Sequence, residues 1–389
     1  MRLKPTKAQA SAIERVREAL PGSVTLVAPT GSGKSSVLGP EIARGYLERG
    51  ARVLWLTPGP STAIAAFESL YRAGFNDLRL IASGFEQCSP SATCVIASLW
   101  TLHAARKRRA LYWSAFDLDP LDSLAPDVVL WDEAHKLTGP IARGVRDRFP
   151  DASHVNLTAT PWRGSQPMPR EVLGRSVLAD DPEALTAAGL IAPARVICPP
   201  PDTLARTVNA HAGRRRGFVF CATQARAQDA AAELTAAGWS AEVMLGGMAP
   251  LKRRSVFSDL NTGRIDFVVG VGCFVEAIDL AKISVAVLDY APTSRVKWFQ
   301  LLGRIRRMRR APGPAKLALV IDPYRAVVRH GLPNDVMESR TNGITICEKC
   351  LSAKRGACAF HHLHKNEPLL ESFSTAAVTA MDTATTQTE

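Results

Sequence analysis

The amino-acid sequence predicts an α/β protein with two consecutive domains, each built on a parallel β-sheet, and a small C-terminal module. Short apolar segments alternate with helical segments over the first 165 residues, and the same alternation restarts after residue 200. Cysteines and histidines cluster near the C-terminus. Strands that alternate with helices along a chain assemble into parallel sheets that carry helices on both faces.

The first domain is expected over residues 1–165. Helices are predicted at Ser35–Arg49 and Thr62–Ala73. The strand candidates are short, apolar and bounded by glycine, proline or charge. They are Ser23–Ala28, Arg52–Thr57, Thr93–Ala97, Asp127–Trp131 and His154–Leu157.

The second domain is expected over residues 201–330, after a linker at 166–200 that ends in the proline-rich stretch Cys198–Pro201. Its predicted helices are Gln224–Ala237, Leu251–Leu260 and Thr293–Arg309. Its strand candidates are Gly217–Cys221, Ala241–Leu245, Asp266–Val271, Val285–Asp289 and Lys316–Ile321. The C-terminal module is expected over 340–365, and the Thr- and Ala-rich residues 366–389 are expected to be disordered.

The composition excludes several classes of protein. With 46% hydrophobic and 22% charged residues, the chain is neither wholly disordered nor collagen-like nor a membrane bundle. The N-terminus lacks the apolar region of a secretory signal, and five of the eight cysteines are scattered, as in a protein with reduced thiols. These features predict a cytoplasmic protein with no membrane partner. The net charge of +12 indicates a polyanionic partner.

The segment Ala28–Ser35 reads APTGSGKS, follows an apolar strand and opens a helix. Glycines allow such a loop to fold around phosphate oxygens and present its N–H groups to them. Lys34 is expected to reach the β- and γ-phosphates, and Ser35 to bind Mg²⁺. The residues predicted to bind ATP here are Thr30, Gly31, Ser32, Gly33, Lys34 and Ser35.

A second motif, Asp132-Glu133-Ala134-His135, follows the apolar strand Val128–Trp131. Carboxylates at a strand end lie at the carboxyl edge of a parallel sheet, beside a phosphate loop on another strand. Asp132 is predicted to hold Mg²⁺, and Glu133 to orient and deprotonate the attacking water. Together, the two motifs predict an ATP hydrolase.

The predicted helix near the end of the second domain has two different faces. At 3.6 residues per turn, Gln300, Gly303, Arg304 and Arg307 share a polar face. Leu301, Ile305 and Met308 share an apolar face that would pack on the sheet. Arginine suits such a polar face because its guanidinium offers forked donors and keeps its charge.

Five motifs occur in a characteristic order: Pro5–Gln9, the phosphate loop, Asp132–His135, Thr158–Thr160 and Gln300–Arg307. In this order the chain resembles the superfamily 2 helicases of the DEAD/DEAH-box group, and more closely those with a restriction-helicase-like core such as the type III restriction enzyme res subunit. The resemblance covers about Pro5 to Asp322. It implies two tandem RecA-like domains, with ATP in the cleft and nucleic acid across both.

The resemblance also implies roles for individual residues. Gln9 would read the adenine, and Thr158 and Thr160 would couple hydrolysis to domain movement. Arg304 and Arg307 would reach the γ-phosphate as arginine fingers, with Gln300 nearby. Weaker matches would contact nucleic acid or couple to it: Thr57, Pro58, Ser98, Thr223 and Asp279. Ala277 stands where the motif around Asp279 usually has glycine.

Several basic clusters fit a track for a phosphate backbone, although solvated surface is an alternative interpretation for each. They are Arg106–Arg109, Arg214–Arg216, Lys252–Arg254 and the arginines 306, 309 and 310. Charge of this kind does not distinguish DNA from RNA.

The C-terminal module has the pattern Cys347-x₂-Cys350-x₇-Cys358-x₂-His361, with His362 and His364 as alternatives to the last ligand. Three thiolates and an imidazole suit tetrahedral Zn²⁺, which would supply the folding energy of a short segment. A Cys/His-rich tail without a metal is the alternative.

The sequence therefore predicts an ATP- and Mg²⁺-dependent helicase or translocase that acts on DNA. DNA is favoured because the context of Thr158–Pro161 resembles restriction and repair motors, which suggests replication, repair or phage proteins as partners. An RNA helicase, favoured by the Pro5–Gln9 spacing, and a duplex-DNA translocase without strand separation stay open. So do the polarity of movement and the oligomeric state. A binding protein with a silent motor is disfavoured by the complete set of catalytic residues.

Overall fold

The computed structural model describes residues 4–29, 31–82, 85–87, 92–104, 121, 124–163, 166–272, 283–306, 317–335, 344–348 and 350–355. The chain divides into two compact units, of which the first ends at Asp181 and the second begins at Pro182. Each unit is an α/β domain with a parallel sheet, which confirms the predicted fold class at this level. Among the described helices, none is long and apolar enough to cross a membrane.

The first unit is built on an eight-stranded sheet with the order β10-β1-β7-β6-β2-β5-β3-β4. Its strands are parallel except for β4, which pairs antiparallel with β3. These strands are β1 (Ser23–Val27), β2 (Val53–Thr57), β3 (Leu78–Ala82), β4 (Phe85–Gln87), β5 (Cys94–Ser98), β6 (Val128–Asp132), β7 (Ser153–Thr158) and β10 (Arg175–Leu178). A separate two-stranded ribbon joins β8 (Trp162–Arg163) to β9 (Gln166–Pro167).

Helices cover both faces of this sheet because its strands are apolar on both sides. In β2, Val53 and Trp55 face one core cluster, whereas Leu54 and Leu56 face the other. The α-helices with described bounds are Lys7–Glu18, Gly39–Leu47, Pro60–Arg72, Pro140–Arg148 and Arg170–Leu173, and residues 99–104 are also helical.

The predicted helix Ser35–Arg49 differs from the structure in its first turn. Lys34–Leu38 forms a π-helical turn, and the α-helix begins at Gly39. A Cβ atom at Gly39 would collide with the ring of Trp55, so only glycine lets this helix pack so closely on β2.

The second unit is built on a parallel six-stranded sheet with the order β11-β16-β15-β12-β14-β13. These strands are β11 (Ala194–Ile197), β12 (Gly217–Phe220), β13 (Ala241–Met244), β14 (Phe267–Gly270), β15 (Val285–Leu288) and β16 (Ala318–Ile321). The α-helices are Pro182–Ala187, Leu204–His211, Gln224–Ala236, Pro250–Thr262, Arg295–Ile305 and Ala326–His330. Two core clusters again lie on opposite faces, with Phe218 in one and Val219 in the other.

The segment 166–200, predicted as a linker, differs from that expectation. It supplies β10, which pairs with β1 at the edge of the first sheet, and β11, which pairs with β16 at the edge of the second. Its proline and glycine content is typical of a linker, but Val177 and Val196 are buried. Two four-residue edge strands therefore fit between the prolines and glycines that would interrupt a longer strand.

The described part of the C-terminal module is an antiparallel hairpin of β17 (Ile344–Ile346) and β18 (Ala353–Arg355). Ile344 and Ala353 belong to a core cluster of the second sheet. The buried Arg195 of β11 donates to Ser352 Oγ at 2.7 Å and to the Cys350 carbonyl at 2.8 Å. This hairpin is therefore packed on the second unit and does not stand apart from it, because its two strands alone offer little to bury. Residues 366–389 lie outside the described residues.

Candidate active site

The phosphate loop lies between β1 and the π-helical turn, as the sequence predicts. Gly31 and Gly33 have φ values of 97° and 90°, in the left-handed region that favours glycine. Lys34 is buried, and its Nζ donates to the Ala28 carbonyl at 2.8 Å and to the Pro29 carbonyl at 3.3 Å. Thr30 lies outside the described residues.

The two motifs predicted to bind Mg²⁺ meet at the carboxyl edge of the first sheet. The strands that precede the two motifs, β1 and β6, are separated by β7 in the sheet. At the carboxyl edge, Ser35 Oγ nevertheless donates to Asp132 Oδ2 at 2.8 Å. Burial raises the pKa of Asp132 to about 6, and the charge of Glu133 adds to the effect, whereas Ser35 and Lys34 oppose it. A hydroxyl and a buried carboxylate side by side are oxygen donors of the kind that Mg²⁺ takes.

Glu133 begins the short 3₁₀ turn Ala134–Lys136 with φ of 50°, a left-handed conformation that is strained for a residue with a side chain. Its side chain remains 28% exposed, whereas Asp132 is almost fully buried. The adjacent carboxylates therefore face different environments, one enclosed and one partly exposed.

His135 connects this edge to the motif at the end of β7. His135 Nδ1 lies 3.0 Å from Thr158 Oγ1, which donates to the Thr160 carbonyl at 2.8 Å and accepts from the Thr160 N–H. Burial lowers the pKa of His135 to about 4, so its imidazole is neutral at pH 7. Because Thr158 has a single hydroxyl proton, the bond to Thr160 leaves His135 Nδ1 as the donor to Thr158.

Gln9 lies against the phosphate loop. Its Nε2 donates to the Ser32 carbonyl at 2.7 Å, and its Oε1 accepts from the Thr6 N–H at 2.9 Å in a capping box. The amide thus fastens the helix Lys7–Glu18 to the loop. Its role as the adenine reader stays a prediction.

The residues predicted to contact nucleic acid have different environments. Thr57 and Ser98 are fully buried, where Thr57 Oγ1 donates to the Gly59 carbonyl and Ser98 Oγ accepts from the Thr101 N–H. Pro58 is half-buried, and Thr223 is exposed as the N-cap of the helix Gln224–Ala236. Asp279 lies outside the described residues.

The helix Arg295–Ile305 has the two predicted faces in part, because Gly303 of the predicted polar face is buried. Leu301 and Ile305 are buried in the core, whereas Gln300 and Arg304 are half-buried. Arg307 lies outside the described residues.

Arg306, expected to extend the basic surface, is instead only 4% exposed. It donates to the carbonyls of Ala192 and Pro333 at 2.8 and 3.0 Å, and to Asn334 Oδ1 at 3.1 Å. The expectation was wrong because the helix ends at Ile305, and the residue after it turns into the domain. Arg306 therefore holds the end of this helix.

The two described cysteines of the module lie in the hairpin turn between β17 and β18. Leu351 follows Cys350 with φ of 58° and donates its N–H to the Cys347 carbonyl, so the turn is tight. Within the described residues no three His, Cys, Asp or Glu side chains form a metal-binding group, and Cys358 and His361 lie outside them.

A residue that sequence reasoning missed is Trp100, which is 74% exposed. It lies in the helical residues 99–104, just after β5. The signal was available in part, because Leu99 and Leu102 are spaced as the core face of a helix and leave Trp100 outside it.

Two family profiles match the chain. Residues 2–163 match the type III restriction enzyme res subunit, and residues 201–309 match the helicase conserved C-terminal domain. Together they cover more than two thirds of the chain. A 73-residue segment is 38% identical to UvrABC system protein B of Chlamydia trachomatis, covering 18% of this chain and 11% of that protein.

Solved structures share the fold at low identity. S. cerevisiae Dbp5 bound to RNA and ADP BeF3 is 15% identical with a TM-score of 0.59, over 84% of this chain and 86% of Dbp5. The ATP-dependent type ISP restriction-modification enzyme LlaBIII bound to DNA is 14% identical with a TM-score of 0.61, over 83% of this chain. The matched region spans only 28% of LlaBIII.

Proposed function

We infer that this chain, which belongs to the superfamily 2 helicases and has a restriction-helicase-like core, is an ATP-hydrolysing motor that moves along or unwinds DNA. The observation that carries the proposal is the contact of Ser35 with Asp132, which joins the phosphate loop to the carboxylate pair at one sheet edge. Helicase-family domains hydrolyse ATP in general, so the finer part of the proposal is the substrate and the roles of the residues.

In this proposal, Lys34 binds the β- and γ-phosphates, and the N–H groups of Gly31 to Ser35 surround them, with Thr30 completing the loop. Ser35 and Asp132 would hold Mg²⁺, which supplies positive charge to the phosphates when bound. Glu133 orients the attacking water and takes its proton, a role that suits a partly exposed carboxylate.

The chain of contacts from Glu133 through His135 to Thr158 supports a coupling role for the Thr158–Thr160 motif. Glu133 Oε2 lies 3.5 Å from His135 Nδ1, which contacts Thr158. A change in the charge or position of Glu133 during hydrolysis would thus alter the contacts of His135 with Thr158 at the end of β7. Gln9 would report on the adenine through its bond to the loop.

In the second domain, Arg304 and Arg307 are proposed to stabilise the γ-phosphate in the transition state, with Gln300 beside them. Thr57, Pro58, Ser98, Thr223 and Asp279 are proposed to position nucleic acid. Because Thr57 and Ser98 are buried, their contribution would come from the backbone turns that they fix.

DNA is proposed over RNA because the first domain matches a restriction-enzyme profile and LlaBIII is bound to DNA, although Dbp5 is bound to RNA. The proposed setting is the cytoplasm, with replication, repair or phage proteins as partners. The test is the ATPase rate with single-stranded DNA, duplex DNA and RNA in parallel. Stimulation by RNA alone would reject DNA.

A strand-displacement assay under the same conditions separates a helicase from a duplex translocase. Stimulation by duplex DNA with no displaced strand would establish the translocase, which is the second candidate function. Unstimulated ATPase with all three nucleic acids would reject both.

We also propose that Cys347, Cys350, Cys358 and His361 hold Zn²⁺. The tight turn that brings Cys347 and Cys350 onto one hairpin supports this donor set, because paired cysteines in such a turn suit a metal loop. Metal analysis of the purified protein should find one zinc per chain, and Cys350→Ser should lose it. Cys94→Ala, a buried thiol in β5, is the matched control that should keep it. Zinc-free wild-type protein would reject the site.

A further inference from the structure

We propose that Trp100 is a base-stacking residue that binds an unpaired nucleobase of the strand on which the motor acts. The proposal rests on the function proposed above and names a contact within it. Base-stacking differs in kind from backbone contact, because it requires the π-face of a base and no phosphate.

Trp100 is the most exposed of the tryptophans within the described residues. Trp55, Trp131 and Trp298 are fully buried, Trp162 is 8% exposed and Trp239 is half-buried, whereas Trp100 is 74% exposed. Its helix does have a buried side, since Leu99 is 7% exposed and packs in the core with Leu102. The indole is therefore directed outward by the packing of its own helix.

The position of Trp100 fits a nucleic-acid strand. β1, β7, β6, β2 and β5 are successive parallel strands of one sheet, so the phosphate loop, Glu133, Thr57 and Ser98 all lie at its carboxyl edge. Trp100 comes two residues after Ser98. The four strand spacings from β1 to β5 place it about 19 Å along the edge from the phosphate loop.

The surroundings favour a nucleobase over a protein partner. A protein interface is centred on a contiguous apolar patch. Among the described residues, the other large exposed hydrophobic side chains are Tyr71, Leu251, Tyr324 and Val328, and none of them lies in the helical residues 99–104. A single ring beside the half-buried Thr101 and His103 offers one flat face, which is what a stacked base needs.

The test is a double comparison of wild type and Trp100→Ala on two fluorescently labelled 20-mers. One is oligo(dT), and the other is an abasic deoxyribose-phosphate strand with the same charge. We expect the substitution to weaken oligo(dT) binding by roughly 5- to 100-fold and to leave abasic binding within about twofold. The retained abasic binding shows that Trp100→Ala folds. Trp100→Phe should restore most of the oligo(dT) affinity, which would show that an aromatic ring is required.

Tyr71→Ala is the matched control. Tyr71 is 60% exposed, but it lies in the last turn of the helix Pro60–Arg72, toward the opposite edge of the sheet. This variant should keep wild-type oligo(dT) binding and ATPase rate.

Each other outcome overturns the proposal. Equal binding of oligo(dT) by Trp100→Ala and wild type, or an equal loss on both strands, rejects stacking while leaving the motor function in place if DNA still stimulates the ATPase. Wild-type protein that neither binds oligo(dT) nor is stimulated by any nucleic acid rejects both the stacking and the proposed function.

Discussion

The two units use buried charge differently. In the first unit, Lys34, Asp132 and His135 are buried together at one edge of the sheet. In the second unit, Arg195, Arg295 and Arg306 are buried, and each donates to a backbone carbonyl of a segment packed around the sheet. Similar folds thus bury charge in one case at the proposed site of ATP hydrolysis and in the other at points where segments attach to the sheet.

This comparison shows that a basic composition does not translate directly into a surface for polyanions. A buried charge is costly unless other groups compensate it. The arginines of the second unit recover that cost by satisfying carbonyls that would otherwise lack donors. These three buried arginines therefore do not contribute to a positive surface that is open to nucleic acid.

The largest effect is expected from Glu133→Gln in the first unit. Loss of the proposed base should lower the ATPase rate by roughly 10²- to 10⁴-fold, while the amide keeps the shape of the side chain. ATP binding should persist, because Ser35 and Asp132 are intact. Steady-state ATPase and nucleotide binding measure the two effects. Undiminished turnover would contradict the assignment of Glu133.

In the second unit, Arg306→Met should act on stability. It leaves the carbonyls of Ala192 and Pro333 without their donor, and we expect the free energy of unfolding to fall by about 3 kcal/mol. Urea unfolding measures it. The exposed Arg254 provides the control, since Arg254→Met should change stability by less than about 0.5 kcal/mol. Equal stability of the two variants would show that Arg306 is not an attachment point.

A smaller effect on stability is expected at His154, a buried residue of the first unit that lies away from the carboxyl edge of the sheet. Trp131 Nε1 donates to its Nδ1 at 3.0 Å, and its Nε2 lies 3.1 Å from the Phe149 carbonyl, an arrangement that requires a neutral ring. Burial lowers the pKa of His154 to about 4, and the charge of Arg146 adds to this. The ring stays neutral in the fold down to about that pH.

The pH dependence follows from that pKa. Below about pH 6.5 the unfolded chain takes up a proton that the folded chain does not, so this contribution to stability is full above pH 6.5, falls by about 2 kcal/mol by pH 5 and falls further toward pH 4. His154→Gln should remove this share of the pH dependence, measured as the free energy of unfolding between pH 4 and 7. Identical slopes in wild type and variant would contradict the neutral assignment.

Much of the site could be predicted because its signals are local. The phosphate loop, Asp132 and Glu133 each follow an apolar strand directly, so a short window of sequence indicates both the residue and its place at a strand end. The faces of the helix Arg295–Ile305 follow in the same way from spacing alone. The edge strand β10 was missed, since a short half-polar segment carries weak periodicity.

The sequence by itself determined which residues stand at the ends of strands and which face of a helix is apolar, because backbone period and residue type act over a few positions. Tertiary structure alone decided that β7 lies between β1 and β6, that segment 166–200 contributes to both sheets, and that Arg306 is buried while Arg304, two residues earlier, is half-exposed. Burial and strand pairing depend on neighbours more than a hundred residues away in the chain, as with Arg306 and Ala192. No local pattern carries that information.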